Sequence, residues 1–301
     1  MTRALFVCTP AESKRLIGKA VAQMEEVQYA FQQSNILISH GSTNIYVLEE
    51  LLGKDRLAEL MDPSTYVTGI IKRGVLCATS GKKRTPIVLI KKGVITPPAD
   101  TMSEMLMDFD SRSVIIKGAN AVDAEKNAGV LVAHPEGSTI GWSIGSILAR
   151  GIRFIVPVGL EKLVPSVRQS VSLCGQDTFD YVQGLRLGMI PMSNARVVTE
   201  IEAIKILTGV DAFHVASGGI NGSEGSVVLV AEGDQKVMNG TIELMESIKG
   251  EIPLDFREVV CETCAEGSQL PPKPPDAPGP RVGCQFLGKK REELPPYLRN
   301  R

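Results

Sequence analysis

The stretch ILISHGSTNIYVLEELLG, residues 36–53, changes its periodicity within a few residues. A short continuous apolar run over 35–39 has the length and β-branched character of a strand buried on both faces. Apolar spacing over 45–52, closed by Gly53, is that of a helix. Between them stand Gly41, Ser42, Thr43 and Asn44. Glycine tolerates a positive φ, and the other three are good helix caps. Two readings stay open from this fragment. The turn is either a plain capped junction or a seat for an anion, because a helix N-terminus presents free N–H groups and the positive end of its dipole.

The same alternation recurs. Residues 12–34 carry apolar positions at helical spacing, 113–117 and 129–133 are β-branched runs, 140–150 is helical and 154–158 is a strong strand. Strands alternating with helices predict an α/β fold built on a parallel, Rossmann-like doubly wound sheet. In the second half, strand candidates at 185–189, 212–217 and 226–231 interleave with helices at 195–207 and 235–248. That order predicts a smaller ferredoxin-like α+β lobe. Beyond residue 253 the composition shifts, and LPPKPPDAPGP at 270–280 is polyproline-like. The expected domains are therefore 1–180, 181–252 and a Pro-rich, Cys-containing tail at 253–301.

A chain of 301 residues with a net charge of -1 gives no electrostatic case for nucleic acid or a membrane surface. No apolar run approaches the roughly 20 residues that span a bilayer. The N-terminal patch is broken by Pro10 and does not resemble a secretory signal, so a cytoplasmic protein is expected. Cys8, Cys77 and Cys174 stand alone among apolar neighbours, as buried thiols do in a reducing compartment. The tail holds Cys261-Glu-Thr-Cys264 and a further Cys284. The two-residue spacing suits zinc, an iron–sulfur cluster or a redox pair. Three thiols are one short of an all-cysteine tetrahedral site, so a histidine or another chain would complete it. No other cofactor is required.

The densest polar segment is the loop from 115 to 142, which follows a strand and so sits where open α/β sheets bind ligands. It carries Lys117, Asn120, Asp123 and Glu136, then a second small-residue turn, Gly137-Ser138-Thr139, opening the helix that holds Trp142. A lysine at 117 favours a carboxylate or phosphate, and one with a lowered pKa forms Schiff bases. Glu161 and Lys162, after the strand at 154–158, would face the same cleft. Of the three histidines, His40 and His134 lie at strand exits, whereas His214 alternates within a strand.

Three segments carry a resemblance. HGSTNIYVLEELLG resembles the GTGST turn of ribose-5-phosphate isomerase A, KGANAVD resembles that enzyme's DGADEVD, and GLRLGMIPMSNARV resembles its VEVIPMA stretch. They occur in the family's order and span about 35–250. PVGLEKLVPSV is similar to a stretch in the lactate-utilisation branch of the same superfamily, which also contains glucosamine-6-phosphate deaminases and CoA transferases. The resemblance implies a phosphate seat at Gly41, Ser42, Thr43 and Asn44; Asn120, Gly137, Ser138 and Thr139 are added as candidate ligand-binding residues from the polar loop and its second small-residue turn. It does not imply isomerisation: Lys117 and Asn120 replace the first two acids, Ala121 replaces the third, and only Asp123 keeps one. NAGVLVAHPEG does not reproduce the stretch that supplies the base. The candidate catalytic groups are then Lys117, Asp123 and Glu136. The expected ligand is a small anion, either a sugar phosphate, a CoA ester or a carboxylate. The expected protein is a homo-oligomer, acting as an isomerase- or transferase-like enzyme or as a ligand-sensing or assembly protein.

Overall fold

The computed structural model describes residues 1–72, 74–79, 84–256, 283–287 and 289–299. The polyproline-like run and the pair Cys261 and Cys264 lie outside them. The chain opens with a strand that the sequence reading did not anticipate, β1 (Thr2–Cys8), in which exposed and covered residues alternate. Thr9 and Glu12 form a reciprocal capping box with Pro10 behind it, and this starts α1 (Pro10–Gln23). The expected 12–34 helix breaks at Met24, and α2 (Glu25–Gln33) follows. Next come β2 (Asn35–Ile38), α3 (Ser42–Leu52) and α4 (Lys54–Leu60). A hairpin of β3 (Gly69–Lys72) and β4 (Val75–Ala78) precedes a second hairpin, β5 (Val88–Lys91) and β6 (Val94–Thr96).

A single helical turn, α5 (Met102–Met105), comes next. Then follow β7 (Val114–Ile116), β8 (Ala121–Val122), β9 (Ala128–Val132), α6 (Ser138–Arg150), β10 (Arg153–Pro157) and α7 (Val167–Leu173). The last third holds β11 (Gly188–Pro191), β12 (Arg196–Val198), α8 (Glu200–Thr208), β13 (Asp211–Gly218), β14 (Ser226–Gly233) and α9 (Gln235–Ser247). A last turn, α10 (Pro296–Arg299), lies near the C-terminus. No described helix is long and apolar enough to cross a membrane.

The main sheet has six strands in the order β12-β10-β7-β2-β5-β6. The first four run parallel, but β5 pairs with β2 antiparallel and β6 with β5 antiparallel. The sheet is therefore mixed rather than wholly parallel. The pleat splits its core cleanly. Ile36, Ile38, Val114, Ile116 and Ile155 pack on one face with Leu16, Ile17, Ile45 and Leu48 of α1 and α3. Leu37, Leu89, Ile115, Phe154 and Val156 pack on the other, with Ile140 and Ile147 of α6. Burial on both faces is why β2 reads as an unbroken apolar run.

Among the described residues no ferredoxin-like lobe is shown. The strands between 181 and 252 separate into three sheets. β11 joins β9 and β8, β12 edges the main sheet, and β13 and β14 form a three-stranded sheet with β1. The first eight residues thus supply the partner that the second half lacks, from Thr2↔Gly233 to Cys8↔Val227. The expected 195–207 helix begins late, because Thr199 and Glu202 cap α8 with the same reciprocal pair of bonds.

Helices α1 and α3 lie so close that Gly18 cannot carry a side chain. A Cβ there would sit 2.6 Å from Tyr46 Cβ and 2.9 Å from its carbonyl carbon. Chemical denaturation of Gly18→Ala is expected to show a loss of roughly 1–3 kcal/mol from overpacking. Gly145, an exposed position inside α6 with nothing within 4 Å of a Cβ, is the contrast: Gly145→Ala should gain about 0.5–1 kcal/mol.

Candidate functional site

Beyond the carboxyl ends of β2 and β7 lies a cavity of about 490 Å³, within the size range of small-molecule sites. Two helices begin at it. The first is α3. Ser39 N donates to Ile116 O at 2.9 Å and Gly41 N to Tyr66 O at 3.0 Å, so the turn is held from both sides. Tyr66 is fully buried; its hydroxyl donates to Ile38 O and accepts from Val88 N at 3.0 Å, tying the exit of β2 to the start of β5. Gly41 occupies the cap position, and no side chain caps the helix. Ser42 and Thr43 are already helical and line the cavity. Asn44 turns away: it is wholly buried, and its Nδ2 donates back to Ser39 O at 2.7 Å. The Asn44 amide oxygen and Ser39 Oγ, buried beneath the turn, have no hydrogen-bond partner among the described residues.

The second helix is α6. Its cap, Gly137, has φ 82°, and Ser138 follows with φ 53°, a conformation uncommon for a residue with a side chain. A Cβ at 137 would also lie 3.0 Å from Gly141 Cα, tight against the first turn of the helix. This helix too lacks a side-chain cap. Gly137, Ser138 and Thr139 line the same cavity as Gly41, Ser42 and Thr43. Two uncapped helix N-termini therefore open into one space. Each leaves backbone N–H donors and a positive dipole end there.

The side-chain charges agree in sign. Arg84, Lys117 and Lys162 line the cavity, and no described carboxylate does. Lys117 follows β7, with its N donating to Ile155 O at 3.1 Å. It is half-buried, its ammonium has no ion pair or hydrogen bond among the described residues, and burial pushes its pKa down to about 8. Arg84 donates from Nε to Thr79 Oγ1 at 3.1 Å, and burial lowers its pKa. His40 places Nε2 2.7 Å from Thr85 O and packs tilted against Tyr66. Burial pushes its pKa down to about 4, so the imidazole is neutral at pH 7. With a carbonyl facing Nε2, that nitrogen carries the proton. Asn120 also lines the space, its Oδ1 accepting from Leu131 N at 3.0 Å.

Apolar wall comes from Ile70, Val75 and Leu76 of the β3–β4 hairpin, from Val130 and Val132 of β9, and from Leu185, Leu187 and Phe286. Arg84 and this hairpin wall were not singled out by sequence reasoning.

Three expected site residues lie off the wall. Besides Asn44, they are Asp123 and Glu136. Asp123 is buried, and its carboxylate accepts from the backbone N–H groups of Glu125 (3.1 Å), Asn127 (3.0 Å) and Val167 (2.9 Å). Burial opposes ionisation, but the Val167 and Asn127 donors outweigh it and hold the pKa below the usual carboxylate value. This acid organises a loop. Glu136 is exposed and accepts from Trp142 Nε1 at 3.1 Å. Of the pair after β10, Lys162 lines the cavity and Glu161 does not. No three described His, Cys, Asp or Glu side chains cluster as metal ligands do. Cys284 lines the cavity wall. No family model, curated protein or solved structure matches the chain.

A lysine whose pKa is lowered by folding carries a definite sign for stability. Its value falls from near 10.5 to about 8, so the charged form is the one the fold disfavours. Stability is lowest below about pH 8 and rises as pH moves toward the unfolded value. At pH 7, Lys117→Met is expected to raise stability, by roughly 1–3 kcal/mol, and to flatten the rise between pH 8 and 10. Denaturant melts across that range measure both effects.

Proposed function

We propose that the cavity binds a small organic anion. Its phosphate or carboxylate lies against the N-termini of α3 and α6 and the Lys117 ammonium, and its apolar body runs along the β3–β4 hairpin. The observation that carries this reading is the lining itself: two uncapped helix N-termini, three cations and no described carboxylate. Two or three such donors on one anion form the strong, charge-assisted class of hydrogen bond. The cavity opens beyond the carboxyl ends of the parallel strands β2 and β7, where open α/β sheets bind ligands, which favours a ligand-binding role. Sugar phosphates, CoA esters and simple carboxylates all carry the required head. An apolar wall favours the ligands that add an apolar body.

Ligand sensing is the reading favoured over isomerisation. Proton abstraction next to a carbonyl needs a base within hydrogen-bond reach, and the two candidate acids, Asp123 and Glu136, lie off the wall. One enzymatic reading keeps an observation of its own. An amine with a pKa near 8 is partly neutral at pH 7, as a Schiff-base lysine requires. Trapping with borohydride in the presence of a carbonyl-bearing ligand separates the two. A mass adduct on Lys117 supports the enzyme.

The binding test is a calorimetric titration with sugar phosphates, acyl-CoAs and aliphatic carboxylates. At least one class is expected to bind. Lys117→Ala should weaken it tenfold or more, and Glu136→Gln should leave it within twofold. Affinity is expected to fall between pH 7 and 9.5, because the protonated amine is the binding form. An affinity unchanged in Lys117→Ala, or the absence of binding across the panel, contradicts the proposal.

A further inference from the structure

Trp142, the chain's single tryptophan, lines the cavity. It stands four residues after Ser138, on the same face of α6. Long helical side chains lean toward the N-terminus of their helix, so the indole reaches back toward the turn whose N–H groups are free. The residue is 48 % exposed and belongs to neither apolar core of the main sheet.

The indole is held in place. Its Nε1 donates to Glu136 Oε2 at 3.1 Å, and the His134 ring meets it at 66° with centroids 5.0 Å apart. The turn that carries both partners is tied within itself: Glu136 N donates to His134 Nδ1 at 3.2 Å, and Gly137 N donates to His134 O at 2.9 Å. The one polar atom of the indole is thus satisfied, and what remains for a ligand is the face of the ring.

Two donors on the same wall are open. His134 Nδ1 accepts, so the ring's proton sits on Nε2, which has no partner among the described residues. Asn120 spends Oδ1 on Leu131 N, and its Nδ2 has no partner among the described residues. Both residues line the cavity. A fixed aromatic face with a few placed donors, beside an anion seat, matches a ligand that joins a phosphate to a planar ring carrying acceptor atoms. An aliphatic carboxylate or a bare sugar phosphate would leave the indole face uncovered.

We propose that the bound anion is a nucleoside phosphate. Its phosphate takes the seat at the helix N-termini, its base stacks on Trp142, and its ribose and base oxygens and nitrogens accept from Asn120 and His134. Ile70 and Leu76 of the β3–β4 hairpin line the same cavity and give the second face of the base an apolar cover. Every base has a π-face, so stacking alone sets no preference among them. The inference rests on the anion-binding reading above and narrows its ligand class.

The four nucleoside 5′-monophosphates contain ribose 5-phosphate and differ from it only by the base, which makes these five compounds a matched set for calorimetric titration of the full chain. At least one nucleotide is expected to bind tenfold or more tightly than ribose 5-phosphate and to quench the emission of Trp142, which no second tryptophan masks. Trp142→Ala should weaken that nucleotide tenfold or more and leave ribose 5-phosphate within twofold, the second result showing that fold and seat are intact. Trp142→Phe keeps a ring and should recover most of the loss. Lys117→Ala should weaken both ligands. Nucleotides that bind no more tightly than ribose 5-phosphate, or a nucleotide affinity unchanged in Trp142→Ala, would overturn the stacking site and leave the anion seat standing. Failure of all five compounds to bind would overturn the seat and the stacking site together.

Discussion

Everything that positions the cavity depends on the apposition of α1 and α3. Gly18 lets the two backbones meet, and Arg15, one turn earlier, locks them. Its guanidinium is nearly buried and reaches Glu49 at 2.5 Å and Glu50 at 3.2 Å on α3, and Glu251 at 2.8 Å after α9. It also stacks 4.4 Å above the Tyr46 ring. A buried cation with three carboxylates is costly to assemble, yet far costlier to leave half-paired, so the three segments are fixed as a unit. With its far end held there and its near end tied through Asn44 to Ser39, α3 has no freedom to swing its N-terminus out of the cavity.

The cavity itself is built against stability. Lys117 is half-buried without an ion pair, Ser138 has a positive φ, and Ser39 Oγ and Asn44 Oδ1 are buried without a described partner. Each feature costs something; Ser39, Asn44 and Ser138 belong to the two helix-opening turns, and Lys117 follows β7 on the same cavity. Of these, Lys117 and Ser138 line the cavity, where the proposed anion would meet them, whereas Ser39 and Asn44 lie behind its wall.

How far the sequence could be read follows from the range of the interactions involved. The strand at 36–38 and the turn after it were legible, because burial on both faces and the switch of period are local signals. So was the meeting of Gly41–Thr43 with Lys117, because β2 and β7 are parallel and bring their carboxyl ends to one edge; Asn120 and Gly137–Thr139 reach the same space from the separate antiparallel sheet of β8, β9 and β11. The antiparallel β5 was not legible, since Val-Leu-Ile reads alike in either direction. Nor was the pairing of β1 with β14, which joins the first residues to those near 230. Asn44 and Asp123 stand off the cavity wall for a related reason, whereas Glu136 reaches out to Trp142. Short polar side chains satisfy their own turns as readily as they face a ligand, and nothing in the spacing distinguishes the two.

On the proposed reading an anion sits between two helix N-termini beside Lys117. Crystals soaked in sodium selenate, with data collected at the selenium absorption edge, test it directly. The account predicts an anomalous peak within hydrogen-bond distance of the backbone N–H groups at Ser42–Thr43 or Ser138–Thr139 and of Lys117 Nζ, weakened or lost in Lys117→Ala. Selenate bound only elsewhere on the surface, with this space holding solvent alone, would contradict it.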